Sequence, residues 1–312
     1  MPYIVSVIIN ILFSGLPCAL LGLGIFLTFR ILDFADLTAE GSFLIGGATC
    51  ITLIKAGVDP YLSTFIALIS GGICGIITGL LHTKLKIPKL LSGIITMTAC
   101  LSLSMAIMGS VSDKGVIFDN IVLLGKEKTI YSTLWPGNVW NQVVTVAVMF
   151  VVVVVVWFIL YFFFGTEYGM AIRATGMNEK MARANGINTN RAIIICCGLS
   201  NALIGLAGAL FSQSLGMMSL GSQTGFLVIG LASIILGEAI FGKRNFKNWL
   251  ISVSLGAIVY FIVVVIALEL GFPTELKNLL YAVLIVIALS IPLIRDGITK
   301  LIKKKKEVIV HD

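Results

Sequence analysis

Few residues of this sequence are of types that do chemistry, and their spacing does not favour it. The only histidines are His82 and His311, and the six cysteines (Cys18, Cys50, Cys74, Cys100, Cys196 and Cys197) all sit inside apolar runs without a C-x-x-C spacing. No thiol or imidazole metal site is expected, and the cysteines read as small buried hydrophobes rather than a disulfide framework. The patterns H-E-x-x-H, G-x-S-x-G and G-x-x-x-x-G-K-[ST] are absent, so no hydrolase or phosphate-loop chemistry can be assigned, and no catalytic, cofactor or metal residues are named. What remains is a set of acids in apolar surroundings, where a charge must be paired, solvated or functional. Asp33 and Asp36 are expected at an interface, solvated or paired with Arg30. Glu40 lies deeper, either as a carboxylate at a helix N-terminus or as a structural partner in the bundle. Glu238 is about one turn from Lys243 and Arg244, and pairing with those cations is the preferred reading. Glu40, Ser42, Thr96, Gln223 and Glu238 are the candidates to line a polar path. For Ser42 and Thr96 the bland alternative is a hydrogen bond back to their own helix carbonyls.

The elements that position these residues follow from composition. The chain has 312 residues, of which 58% are hydrophobic and 12% charged, and its mean hydropathy is +1.06. A soluble domain carries roughly 25% charged residues to dress a water-facing surface. Half that share excludes a soluble enzyme, a disordered chain and a nucleic-acid binder together. The expected fold is an all-α, polytopic transmembrane helix bundle. A helix needs about 20 apolar residues to cross a hydrocarbon core, with about 17 tolerated. Nine stretches qualify, near 4–29, 37–54, 61–81, 90–111, 142–164, 192–214, 225–241, 248–268 and 277–294; the second, seventh and ninth are short. The first is read as a retained helix, since Met1-Pro2-Tyr3 carries no basic segment of a signal peptide. Alternation puts 17 of the 22 lysines and arginines on one side and 5 on the other. By the positive-inside rule the N-terminus is outside and the C-terminus cytoplasmic. Residues 1–294 form the membrane domain and 295–312 a basic cytoplasmic tail, where Lys303 to Lys306 would attract anionic membrane lipid.

Three segments are not simple connectors. Residues 112–141 form a long external loop in which 116–118 and 121–124 suggest a short hairpin. Residues 215–225 are uncharged and Gly-rich. They precede the run Gly225 to Gly230, which echoes Gly41 to Gly46; paired short, Gly-interrupted helices in two halves point to a transport path. The longest internal loop is 165–191. Within it Asn178 can cap a helix, Glu179 suits its first turn, Lys180 to Asn185 continue it, and Gly186 sits where a C′ glycine ends one. Glu179 and Arg183 are four apart in the favourable order. A two-turn helix offering only Met181, Ala182 and Ala184 as apolar groups cannot stand alone in water. It must dock, on its own membrane helices or on a partner.

This loop resembles the cytoplasmic coupling loop of ATP-binding-cassette importer permeases of the branched-chain amino acid and ribose type. Their pattern G-x-A-x-R-A-x-G…A-x-x-x-G-I-N is matched by Gly169, Ala171, Arg173, Ala174, Gly176, Ala182, Gly186, Ile187 and Asn188. The stretch from Phe29 to Ser42 and the run Leu236 to Gly242 resemble the same group, and D-F-A-D-L-T-x-E-G-S-F is similar to its tryptophan/tyrosine-type branch. The resemblance covers nearly the whole chain. It implies a permease subunit in a prokaryotic cell membrane that pairs as a homo- or heterodimer and receives a small solute, an amino acid among the options, from an external solute-binding protein. It also implies that Arg173, Asn178, Glu179, Lys180, Met181, Ala182, Arg183, Asn185 and Gly186 couple to a cytoplasmic ATPase. ATP would then be bound by that partner chain. The alternative is an ion-coupled secondary transporter, which predicts acids or histidines within spans. The acids and His82 instead fall near span ends.

Overall fold

The computed structural model describes residues 3–112, 115–117, 121–124, 128–134, 141–221, 224–272, 279–280, 282–284, 286 and 290. Helix α1 (Tyr3–Phe26) runs into a π turn (Leu27–Ile31), closed by Leu32 N–H donating to Leu27 O at 3.1 Å. After a non-helical linker come α2 (Thr38–Lys55), α3 (Pro60–Thr83) and α4 (Lys89–Met108). Asp59 caps α3, accepting from Tyr61 N and Leu62 N, and Pro60 occupies the first helical position, where no N–H is needed.

The 112–141 segment departs from expectation. Strand β1 (Ser110–Ser112) pairs with β2 (Gly115–Ile117), whereas β3 (Ile121–Leu123) leaves β2 and pairs antiparallel with β4 (Met217–Ser219). The anticipated hairpin is therefore replaced by a long-range ladder, because Met218 and Val122 meet in the core. A short α5 (Ile130–Leu134) precedes α6 (Asn141–Phe163). Two helices, α7 (Glu167–Met177) and α8 (Glu179–Ala184), occupy the 165–191 loop, where the sequence pointed to one. The signal for α7 was Thr166, whose hydroxyl accepts from Gly169 N and caps the helix. Helices α9 (Thr189–Leu215), α10 (Phe226–Phe241) and α11 (Phe246–Glu269) follow.

Among the described residues six helices are long and apolar enough to cross a membrane, in 5–31, 60–83, 89–108, 142–163, 189–215 and 246–269. The second and seventh expected spans, α2 and α10, have 18 and 16 residues; α2 buries most of its length in the bundle, and α10 buries one face, from Ile229 to Gly237. The ninth, 277–294, lies largely outside the described residues, as do the tail and Gln223. Helix α9 is the central element, packed against α1, α2 and α3. Glycine makes the closest approach possible. A Cβ on Gly75 would run into Cys197 O and one on Gly71 into Asn201 O, so the stripe Gly71, Gly75, Gly79 faces α9 inside the chain. The Gly41/Gly225 echo marks two helices in corresponding places. Helix α2 lies against α9 with α3 beside it, and α10 lies against α1 with α11 beside it.

Candidate functional site

Two features could serve transport: the projection made by α7 and α8, and a chain of polar contacts through the bundle. Thr175 and Gly169 of α7 are buried, and Gly176 packs so closely on Ile31 and Leu32 that no side chain would fit. Arg173 lies over the Phe246 ring, with its guanidinium carbon 5.0 Å from the centroid, which ties α7 to the start of α11.

Helix α8 is capped at both ends. Asn178, an extended residue that alone separates α7 from α8, accepts from Met181 N at 3.0 Å. At the other end Gly186 has φ +82°, its N–H donates to Arg183 O at 3.0 Å and Ile187 N–H donates to Ala182 O at 3.0 Å. This is the Schellman arrangement that a left-handed glycine permits. Asn185 Nδ2 donates to Met181 O at 3.0 Å. Ala182 faces the chain's own body and is buried, whereas Met177 and Met181 are 88% and 64% exposed, and Lys180 and Ala184 are exposed beside them. The helix thus uses one apolar residue to seat itself and leaves a methionine-bearing face open.

Arg183 is engaged within the chain. Its Nη2 pairs with Glu179 Oε1 at 2.6 Å and donates to Asn190 Oδ1 at 3.2 Å, while its Nε donates to Thr189 Oγ1 at 2.7 Å. Thr189 and Asn190 begin α9, so this set joins α8 to α9. Neither residue stood out in the sequence, because a Thr-Asn pair after a turn is common without such a role. A cleft of about 390 Å³ opens beside the α7–α8 junction, lined by Asp33, Phe34, Lys89, Asn178, Glu179 and Lys180 among others.

The acids are paired differently from the sequence expectation. Glu238 accepts from Arg30 Nη2 at 2.6 Å and from Trp249 Nε1 at 2.8 Å, and is not paired with Lys243 or Arg244. The π turn brings Arg30 to α10, a contact across 208 positions that local spacing cannot reveal. Asp33 is exposed as expected, but Asp36 is buried. Its Oδ1 accepts from Thr38 N at 2.9 Å and its Oδ2 from Asn201 Nδ2 at 2.7 Å, so it holds the root of α2 against α9 instead of pairing with Arg30. Beside it Thr38 and Thr78 hydroxyls share a hydrogen bond of 2.7 Å.

Glu40 accepts from Gly225 N at 3.1 Å. Gly225 opens α10 with φ +87° and provides no side-chain cap, so the Glu40 carboxylate sits at that helix N-terminus, where the dipole favours an anion. Phe43 stacks on Phe226 with ring centroids 4.4 Å apart, closing the same α2–α10 junction. Thr96 is buried and donates back to Ser92 O at 3.1 Å; Ser42 is fully buried, and its hydroxyl has no partner among the described residues. The structure therefore brings Glu40 to the meeting point of α2 and α10 and keeps Glu238 and Thr96 away from it in bonds of their own.

At the end away from α8, Gln213 on α9 donates to Thr64 Oγ1 at 2.7 Å and accepts from Ile130 N at 3.1 Å, and Tyr131 donates to Leu210 O at 3.1 Å. Burial pushes the Tyr131 phenol up, which keeps it a donor. Helix α9 so carries polar contacts from the α8 corner to α5. None of these groups is arranged to make or break a covalent bond. The arrangement can dock a partner at one end and hold a jointed helical bundle.

Residues 7–289 match the family described as branched-chain amino acid transport system / permease component. A tyrosine transport system permease protein of Clostridioides difficile is 31% identical over 97% of this chain and 100% of its own length. A probable branched-chain amino acid transport permease protein of Methanocaldococcus jannaschii is 28% identical over 81% of this chain and 80% of its own. A ribose import permease protein of Haemophilus influenzae is 25% identical over 88% of this chain and 77% of its own. With its apolar helices and with permeases as relatives along almost its whole length, the chain is a multi-pass membrane protein of the branched-chain amino acid transport permease family.

Proposed function

We propose that this chain is the membrane subunit of an ATP-binding-cassette importer that moves a small solute, an aromatic amino acid, across a prokaryotic inner membrane. The observation that carries the reading is α8: a short helix capped at both ends, with Lys180, Met181 and Ala184 exposed on it and Met177, the last residue of α7, exposed just before it. Such a helix is too short to be stable alone and is built to be held from two sides. One side is its own chain, through Ala182; the other is a cytoplasmic ATPase, a separate polypeptide. The distribution of lysine and arginine supports placing α8 in the cytoplasm, with nine helices, the N-terminus outside and the C-terminus inside. An external solute-binding protein delivers substrate at the face that bears α5 and the β3–β4 ladder, and two permease subunits enclose the path. The choice of an aromatic amino acid rests on the similarity to the tyrosine transport system permease.

A mild-detergent pull-down of the tagged chain from its native cells, with partners identified by mass, tests this. Recovery of an ATP-binding subunit and an exported binding protein that takes up tyrosine or tryptophan is the expected result. A chain that comes down alone and moves solute in vesicles without ATP would overturn it in favour of ion coupling.

A further inference from the structure

We infer that α8 and α9 form one rigid lever, latched by Arg183 and hinged on α7 at Asn178, and that the partner's motion enters the bundle through α9. The inference rests on the importer reading and specifies its mechanical route. Between Ala184 and Thr189 the chain has four residues, and its geometry is held from both ends. The Schellman bonds of Gly186 and Ile187 close α8, and Asn188 Oδ1 accepts from Arg191 N at 3.1 Å to cap α9. Over this corner Arg183 places one guanidinium on Glu179, Thr189 and Asn190, and Thr189 lies 3.4 Å from Glu179 Oε1. Among the described residues, the side-chain bonds that leave α8 all go to α9. The α7–α8 junction differs: Asn178 is a single extended residue, φ −158° and ψ 101°, and the polar cleft lies beside it. An element terminus of one residue, with space at its side, is where a hinge can absorb a change in backbone angles. Helix α7 is meanwhile held to the body by Arg173 on Phe246 and by Gly176 on Ile31. A displacement of α8 would therefore swing about Asn178 and carry α9, whose Asn201 holds Asp36 at the root of α2 and whose Gln213 holds Thr64 and Ile130.

Arg183 is on this account a positioning residue, not a docking contact. The test uses the full complex reconstituted in vesicles with its ATPase and binding protein. Arg183→Ala should leave co-purification of the ATPase unchanged and ATP hydrolysis at its basal rate. Substrate-stimulated uptake should fall about tenfold or more, the scale of losing charged hydrogen bonds. In Arg183→Cys/Asn190→Cys, bridging the two thiols with a short bifunctional reagent should restore uptake several-fold over the unbridged protein, because only the link between helices matters. Loss of ATPase binding in Arg183→Ala would make the residue a docking contact and overturn the latch. Wild-type uptake in that variant, or no recovery on bridging, would overturn it as well. Failure of the wild-type chain to bind an ATPase at all would instead refute the importer reading beneath it.

Discussion

The Arg30–Glu238 pair shows how a charge is made tolerable inside this bundle. Glu238 is only 10% exposed, while Arg30 is 33% exposed, so removing the arginine leaves a nearly buried carboxylate with Trp249 as its remaining donor. Breaking a buried pair costs about 3–5 kcal/mol, and the exposure of Arg30 lowers the expectation to about 1–3 kcal/mol. Arg30→Met should lower the melting midpoint in detergent, and Arg30→Met/Glu238→Gln should recover much of the loss. A single variant as stable as the parent would mean that the pair contributes nothing. Residue types and local order revealed that these acids needed partners. They did not reveal which ones, because Arg30 reaches Glu238, and Asp36 reaches Asn201, only after distant helices pack. The caps were legible in advance, since Asn178 and Gly186 act on neighbours within a few positions.

At the scale of elements, α9 is shaped by what can approach it. Gly71 and Gly75 admit its backbone carbonyls, and the resulting contact between α3 and α9 is the most extensive in the bundle. Gly75→Ala would push a methyl group into Cys197 O, an overpacking expected to cost about 1–3 kcal/mol or more. The yield of monodisperse protein should drop, whereas Gly221→Ala, with open space around it, should purify like the parent. Equal yields would show that α3 and α9 can separate without penalty. Apolar length made the long helices readable in the sequence. The shorter α2 and α10 were readable as apolar runs, but not as helices sheltered by others, because burial depends on neighbours. The β3–β4 pairing was hidden for the same reason: its strands are three residues each and nearly a hundred positions apart.

As a whole molecule the chain is a permease in which α9 packs against α1, α2 and α3, and in which α2 and α10 meet at Glu40 and Phe43. One end of the bundle carries α8, and at the other end α3 starts at Pro60 and bears Tyr61, which is 47% exposed. A cytoplasmic ATPase that drives transport must meet α8 and not the opposite end of the bundle. The direct measurement places a photo-cross-linking residue at Met181, and separately at Tyr61, in the full chain expressed in its native cells. An adduct of the ATP-binding subunit is expected from Met181 and none from Tyr61. An adduct of an exported binding protein at Met181 would invert the topology, and the absence of any ATP-binding adduct from Met181 would contradict the coupling role of α8.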